Sequence, residues 1–359
     1  MIADEEGFLY PSIDITQCID CHLCENACPI LQKACIQDEI DTIVYAAKNR
    51  QTEIREKSSS GGMFTLLATH VLNQGGIVFG AAFDEELKLS HIGVERLVDL
   101  RKLRGSKYVQ STIGDTYIEA KKELDKGRLV LFTGTPCQIG GLKSYLKKDY
   151  DNLYTQDLIC HGVPSPEVFE KYLFFLQDKH KKKVISVNFR NKEESWKKYS
   201  VTFTFEDGES FTERFNENSY MKAFLKNLCL RPSCYDCNFK GINRISDITL
   251  ADFWGVETIL PKMDDDKGTS LIFIHSHKGE RIFKKIEDDI LAEKIDASVA
   301  ILENASAIKS SKFASQRNQF MKKVNKTNFE KLVKQYTDST FIQKIKNKIK
   351  SLFSHKGEV

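Results

Sequence analysis

Residues 18–29 read CIDCHLCENACP, with four cysteines separated by two, two and three residues and a proline directly after the last. Such short spacings wrap one loop around the corner of an iron–sulfur cube, so that Cys18, Cys21 and Cys24 can each reach a different iron. A structural zinc site is the alternative, but zinc sites usually pair two Cys-x2-Cys halves across a longer stretch. The run therefore predicts a [4Fe–4S] cluster in a small module, which we expect to occupy residues 1–45.

The fourth cysteine of the run, Cys28, has two possible roles. In ferredoxins with two clusters the last cysteine of such a run ligates the other cluster, yet this chain carries a single run. Either Met1 is not the natural start and a first run is missing, or Cys28 or Cys35 completes one cluster. We prefer the first interpretation, and both place the first three cysteines on one cluster.

The composition is that of an ordinary globular protein. Of the 359 residues, 41% are hydrophobic and 29% are charged, which is typical of soluble domains. The net charge of +3 is too small to indicate a nucleic-acid partner. No apolar run approaches the ~18–20 residues that cross a bilayer. Ten cysteines without a secretory signal pattern favour metal or redox chemistry in a reducing compartment, and we expect a cytoplasmic protein.

Strand and helix patterns alternate through the first half of the chain. The predicted elements are a helix over Met63–Asn73, strands over Ile77–Phe83, Arg128–Phe132 and Leu153–Ile159, and helices over 138–148 and 166–177. This alternation predicts a parallel sheet, whose ligands bind outside the carboxyl ends of the strands. Cys137 and Cys160 follow two of these strands, so we expect them to converge in space.

The second half changes character. A period of two over Tyr199–Phe205 predicts a half-exposed antiparallel ribbon, paired with a strand over Val184–Arg190 and followed by a hairpin turn at 206–209. Strands are also predicted over 247–254 and 269–275, with helices in the remainder. The fold class is therefore α/β (α+β): the small cluster module, a mixed-sheet core over 46–300, and a helical tail over 301–359.

The last predicted helix, over 340–353, has one apolar face bordered by lysines. Such a helix can lie weakly on an anionic membrane surface. Docking against its own domain or against a partner is the commoner arrangement.

A second group of cysteines can form another four-thiolate site. Cys234 and Cys237 are two residues apart on one tight turn, and Cys137 and Cys160 can supply the other two ligands. Spacing alone does not choose between iron–sulfur and zinc, but the upstream run favours a [4Fe–4S] cluster here as well. A rival interpretation makes Cys137 a nucleophile with His161 as its base.

A polar, glycine-ended loop opens the helix at Met63. Its residues Ser58, Ser60, Gly61 and Gly62 suit a phosphate, because a helix N-terminus offers free backbone N–H groups. Serine before a helix is also a common N-cap. The residues alone leave both interpretations open.

Several motifs in the same order resemble the beta-subunit family of coenzyme F-420 hydrogenases and dehydrogenases, in particular its bacterial, exopolysaccharide-associated members. Besides the run at 18–29, they are the serine–glycine loop at 58–62, GSKYVQS at 105–111, GTPCQ at 134–138, DLICHG at 157–162, RPSCYDC at 231–237 and DITLADFWG at 247–255. The similarity extends over nearly the whole chain. It is specific for the family and does not identify a substrate.

The resemblance implies a flavoprotein with FAD, or FMN, next to a [4Fe–4S] cluster. The loop of Ser60, Gly61 and Gly62 would then hold the flavin phosphate, and Lys107 becomes a candidate flavin contact. The four cysteines of the second group would ligate the core cluster. Flavins exchange hydride with organic molecules and single electrons with clusters.

Three functional hypotheses follow. The first is an iron–sulfur flavoprotein oxidoreductase that acts on a small organic substrate, with a redox partner protein or a reduced carrier as its electron donor or acceptor. The second is an electron-transfer subunit that relays electrons to a partner enzyme. The third is a zinc-stabilised binding module. No residue is assigned a catalytic role.

Overall fold

The computed structural model describes residues 1–31 and 40–338. The strands are β1 Ile2–Ala3, β2 Leu9–Tyr10, β3 Ile43–Asn49, β4 Ile77–Phe83, β5 Leu89–Val94, β6 Val130–Thr133, β7 Leu153–Leu158, β8 Val184–Asn191, β9 Ser200–Phe205, β10 Ser210–Arg214, β11 Ile248–Asp252, β12 Ser270–Ile274 and β13 Ile290–Ile295. The helices are α1 Leu23–Asn26, α2 Thr52–Glu56, α3 Met63–Asn73, α4 Leu100–Leu103, α5 Thr116–Asp125, α6 Pro136–Leu146, α7 Pro166–His180, α8 Ser219–Leu225, α9 Val256–Ile259, α10 His277–Lys284, α11 Ala297–Ala300, α12 Arg317–Lys323 and α13 Phe329–Thr337.

An eight-stranded mixed sheet forms the centre, in the order β13-β3-β12-β11-β7-β6-β4-β5. Its middle strands, β4, β6, β7 and β11, run parallel, and the outer strands pair antiparallel. Residues Val130, Leu131 and Phe132 of β6 are buried, as expected where helices cover both faces of a parallel sheet. The predicted mixed α/β class and the parallel centre are confirmed.

The sequence patterns do not predict β3 and β13, two strands at one edge of the large sheet. The strand β3 pairs with both β12 and β13, so the proposed boundary between residues 45 and 46 falls inside it. The prediction of helices after residue 275 is wrong for β13. Its sequence, ILAEKI, is rich in good helix formers, and its pairing with β3 over six residues decides the strand conformation.

A smaller antiparallel sheet, in the order β10-β9-β8, carries a second core. The predicted hairpin joins β9 to β10. Helices α7, α8 and α13 bury Tyr172, Tyr220 and Leu332 in the same hydrophobic cluster as Phe203 of β9. The first part of the proposed tail, which includes α12 and α13, therefore packs on the core.

The N-terminal segment is fastened to the body of the protein. Phe8 is fully buried, and Glu6 forms an ion pair with Arg317. Arg231 donates from Nη1 to the Leu9 carbonyl at 3.0 Å and lies 4.0 Å from the centre of the Tyr10 ring. The predicted cluster module is thus held against the chain that leads into Cys234.

Two sequence predictions lie outside the described residues: the ligand role of Cys35 and the membrane-surface helix over 340–353. Among the helices of residues 1–31 and 40–338, none is long and apolar enough to cross a membrane.

Candidate functional site

Four cysteines from distant parts of the chain line one cavity. Cys137 lies in the first turn of α6, and Cys160 lies just beyond β7. Cys234 lies in a 3-10 turn, with Cys237 directly after it. All four contribute to the wall of the same cavity, together with Lys240. The convergence of Cys137 and Cys160 expected from the sequence is therefore observed, and the Cys234 turn joins them.

The sheet explains this convergence. Strands β6 and β7 are parallel neighbours, so their carboxyl ends reach the same edge. Gly162, two residues after Cys160, lies next to Leu230 and the Cys234 turn. A Cβ on Gly162 would lie 2.8 Å from Leu230 Cδ1 and 3.4 Å from the Cys234 Cβ. A larger residue at 162 would therefore displace the Leu230 side chain first, while its contact with Cys234 would be an ordinary van der Waals contact.

The cavity disfavours isolated thiolates. Burial raises the pKa of the Cys160 thiol well above its usual range and that of Cys234 to about 11. The Lys240 ammonium lies beside the site, but its Nζ donates to the carbonyls of Cys160 at 2.5 Å and Ser306 at 2.8 Å. Bound metal supplies positive charge that ionises coordinating thiols. A donor set of four thiols thus fits an iron–sulfur cluster or zinc by its chemistry.

Zinc and an iron–sulfur cluster differ in the ligand spacing that they need. Within the described ranges, no group of three or more His, Cys, Asp or Glu side chains is arranged to hold a single metal ion. Four thiolates on one zinc would meet about 2.3 Å from a common point. Ligands of a cube bind separate irons and stay farther apart. A single zinc ion and a [4Fe–4S] cluster thus place different demands on the spacing of the four sulfur atoms.

The N-terminal run lies at the surface. Cys18, Cys21 and Cys24 are exposed and Cys28 is half-buried, and the structure does not gather them around a single ion. The end of the run nevertheless reaches the core, because Pro29 and Ile30 line a second cavity of about 350 Å³. The two cavities share four lining residues: Pro136, Phe239, Lys240 and Arg244. The run therefore ends beside the four-cysteine cavity.

The serine–glycine loop packs against the large sheet. Ser58 Oγ donates to the Ile54 carbonyl at 2.7 Å and Ser60 Oγ to the Thr269 carbonyl at 2.9 Å. A Cβ on Gly61 would lie 2.6 Å from the Ala47 carbonyl oxygen, so this glycine is required by backbone packing. Substitutions of Gly61 would therefore disturb the fold before they could test a ligand.

The beginning of α3 lacks a side-chain cap. Gly62 is its N-cap residue, at a left-handed φ of 86°, and no side chain within the described chain caps it. The alternative interpretation of the loop as a serine N-cap is therefore not observed. An uncapped N-terminus of an eleven-residue helix leaves backbone N–H groups without intrahelical partners.

Buried donors without partners surround this loop. Asn49 Nδ2, Arg55 Nε and Arg190 Nε are buried and have no hydrogen-bond partner in the part of the chain that the structure describes. Asn49 lies beside Gly62, its Cβ 3.3 Å from where a Gly62 Cβ would be. Arg190 Nη2 reaches the Ser59 carbonyl at 3.4 Å. Unsatisfied buried donors are rare in native proteins, and this group fits an anionic ligand such as a phosphate.

Lys107 faces its own backbone. Its Nζ donates to the carbonyls of Leu103, Arg104 and Gly105 at 3.0 to 3.1 Å, which accounts for all three N–H donors of an ammonium. Burial lowers its pKa to about 7. The neighbouring Ser106 makes the contact with the loop instead, because its backbone N–H donates to Ser59 Oγ at 2.7 Å.

Sequence reasoning missed the basic and amide groups near the loop, among them Asn49, Arg190 and Lys192. Besides Asn49 and Arg190, Lys192 Nζ donates to the carbonyls of Arg55 at 2.7 Å, Ser60 at 3.1 Å and Lys267 at 2.7 Å. Burial lowers the pKa of Lys192 to about 7. These residues lie in β3 or near the end of β8, and no motif marks them, since only the tertiary fold brings them to the loop.

The rival pairing of Cys137 with His161 has little geometric support. Both residues line the cysteine cavity, but His161 Nε2 is hydrogen-bonded to Asn227 Oδ1 at 2.7 Å. Within the described residues, the hydrogen bond recorded for the Cys137 sulfur is with Thr135 Oγ1 at 3.1 Å. Asn227 thus engages one ring nitrogen, and within the described residues no hydrogen bond joins the His161 imidazole to the Cys137 sulfur.

The matches to family models agree with the motifs. Residues 44–115 match the N-terminal family model, and residues 127–300 the C-terminal one, of the coenzyme F420 hydrogenase/dehydrogenase beta subunit. One chain of the xenon-derivatised F420-reducing [NiFe] hydrogenase complex from Methanosarcina barkeri is similar at 18% identity, covering 84% of this chain and 91% of that chain with a TM-score of 0.47. No curated protein matches the sequence.

Proposed function

We propose that this chain, which belongs to the coenzyme F420 hydrogenase/dehydrogenase beta-subunit family, is an iron–sulfur flavoprotein oxidoreductase. Its substrate would be a small organic molecule. The observation that carries the proposal is the single cavity lined by Cys137, Cys160, Cys234 and Cys237. Such a thiolate set would hold a [4Fe–4S] cluster. The bound flavin would supply hydride exchange with the substrate and one-electron exchange with the cluster.

Different residues of the chain would hold each cluster and the flavin. The four cysteines would hold the cluster at the carboxyl edge of the sheet, and the uncapped start of α3 with Asn49 and Arg190 would hold the flavin phosphate. Cys18, Cys21 and Cys24 would hold a second cluster at the surface, with Cys28 as a further candidate ligand. The cavity beside Pro29 and Ile30 puts the end of that run next to the core site. Electrons could therefore enter or leave through the N-terminal segment.

The location is part of the proposal. All nine cysteines in the described ranges are free, which suits a reducing compartment such as the cytoplasm.

The second candidate function is an electron-transfer subunit without substrate chemistry of its own. Its support is the exposure of the N-terminal run, where Ile15 is 85% and Ile19 83% exposed beside the cysteines. Exposed apolar side chains around a redox centre suit contact with a protein partner. Turnover of an organic substrate by the isolated chain would exclude this alternative.

The first experiment is an analysis of iron, zinc, sulfide and flavin in anaerobically purified protein, together with its visible spectrum. We expect about four irons per cluster and one flavin per chain. Iron without flavin would favour the electron-transfer subunit. Zinc as the sole metal would overturn the proposal and favour the zinc-stabilised module.

The flavin-phosphate site is tested by Asn49→Asp. This change keeps the oxygen that accepts from the Gln51 backbone N–H at 2.8 Å and replaces the buried Nδ2 donor by an anionic oxygen. We expect flavin affinity to fall by about tenfold or more, because an unfavourable contact of about 1.4 kcal/mol has that effect. The iron content should not change.

Asn188→Asp is the matched control. Asn188 is exposed and also accepts a hydrogen bond two residues ahead, from the Arg190 backbone N–H at 3.0 Å. Equal flavin retention by Asn49→Asp, Asn188→Asp and the unsubstituted protein would contradict the placement of the phosphate.

A further inference from the structure

A chain of polar groups leads from the interior to Cys137. His91 is buried, and its Nε2 lies 3.0 Å from the Thr133 carbonyl oxygen. Its Nδ1 lies 2.9 Å from Ser111 Oγ, which in turn accepts from Gln138 Nε2 at 2.9 Å. This row of hydrogen bonds thus links the motif at 105–111 to the motif at 134–138, which contains the proposed cluster ligand Cys137.

The direction of each hydrogen bond in this row follows from its first acceptor, the Thr133 carbonyl oxygen. A carbonyl oxygen cannot donate, so His91 Nε2 carries the proton. Burial lowers the pKa of His91 to about 4, so the ring is neutral near pH 7 and Nδ1 accepts from Ser111. Ser111 must then accept from the Gln138 amide nitrogen, which turns the Gln138 oxygen the other way.

That oxygen faces Thr135. Gln138 Oε1 accepts from the Thr135 backbone N–H at 2.9 Å and lies 3.1 Å from Thr135 Oγ1. The same hydroxyl oxygen lies 3.1 Å from Cys137 Sγ. The single hydroxyl proton of Thr135 therefore has two acceptors. One is the Gln138 amide oxygen, which the row of hydrogen bonds from His91 holds in place. The other is the Cys137 sulfur.

We propose that Thr135 is a positioning residue that donates a hydrogen bond to the Cys137 thiolate and thereby raises the reduction potential of the cluster which that thiolate helps to hold. This inference rests on the proposed function. One-electron reduction adds one negative charge to the cluster and its thiolates. The added charge strengthens the sulfur as an acceptor against the neutral amide oxygen of Gln138, so the hydroxyl stabilises the reduced form more than the oxidised form.

Thr135→Val tests this proposal, because valine keeps the shape of threonine without its hydroxyl. We expect a lower midpoint potential in an anaerobic redox titration followed by electron paramagnetic resonance. A tenfold fall in the ratio of reduced to oxidised cluster at a fixed applied potential corresponds to about 59 mV for a one-electron couple. Thr135→Ser retains the hydroxyl and should retain the potential of the unsubstituted protein.

Gln138→Leu separates this role from general damage to the site. It removes the competing acceptor, so the Thr135 proton is left to the sulfur and the potential should not fall. A fall in both Thr135→Val and Gln138→Leu would indicate a merely structural role and overturn the inference. Should Thr135→Val fail to fold, a raised potential in Gln138→Leu would support the inference, and an unchanged or lowered potential would overturn it.

Iron content and reduction potential distinguish a failure of the proposed function from a failure of the Thr135 role. Protein without iron would defeat the proposed function, and the inference with it. Iron at the level of the unsubstituted protein together with an unchanged potential in Thr135→Val would defeat only the role of Thr135.

Discussion

Cys234→Ser is expected to remove about four irons per chain, the content of one [4Fe–4S] cluster. Cys234 lines the cavity with the other three cysteines of its group, and its sulfur accepts from the Val163 backbone N–H at 3.4 Å. A serine hydroxyl is a much poorer ligand for iron than a thiolate. Any cluster on the N-terminal run should remain, so iron should fall by one cluster's content and not to zero. Iron and sulfide analysis of anaerobically purified protein measures this loss.

The matched control for this prediction is Cys229→Ala. Cys229 lies five residues before Cys234 but is fully buried in the hydrophobic cluster of the smaller sheet. Burial raises the pKa of its thiol to about 12, so it behaves as an apolar core residue. Iron content should be unchanged in this variant. Equal iron in both variants would refute the assignment of Cys234 as a ligand.

Arg190→Met is expected to lower the free energy of unfolding by about 3–5 kcal/mol, the usual cost of removing one partner from a buried ion pair. Arg190 is buried and pairs with Asp252 through Nη1 at 3.1 Å and Nη2 at 3.2 Å. Its guanidinium also lies 4.0 Å from the centre of the Tyr199 ring and 5.1 Å from that of Trp254. The change would leave the Asp252 carboxylate without its cation. Urea unfolding followed by circular dichroism gives the difference.

Arg214→Met is the control for this measurement. Arg214 pairs with Glu194 at 3.2 Å, but both side chains are largely exposed. Exposed pairs contribute about 0–1 kcal/mol, so this variant should unfold almost like the unsubstituted protein. A loss in Arg190→Met no larger than that in Arg214→Met would show that the buried pair does not stabilise the fold.

The serine–glycine loop at 58–62 is a feature that a local sequence pattern can predict. A glycine-ended polar stretch before an apolar run predicts a loop that opens a helix, and α3 has the predicted bounds, Met63–Asn73. Lys107 is a candidate flavin contact through the family resemblance, and no local pattern of its own indicates that role. Its three donors are used by carbonyls of its own turn, and a sequence does not show where a lysine ammonium ends.

The sequence by itself indicated the parallel centre of the sheet, the positions of Cys137 and Cys160 after two of its strands, and the shared turn of Cys234 and Cys237. These follow from local spacing and from periodicity within one element, whereas the family was indicated by the resemblance of several motifs in the same order. Only the tertiary structure decided that β3 and β13 join the sheet, and that Asn49, Arg190 and Lys192 surround the loop. It also placed the row of hydrogen-bonded side chains from His91 to Thr135 beside Cys137. These contacts join residues far apart in sequence, and their partners are chosen by packing, burial and hydrogen bonding across the whole fold.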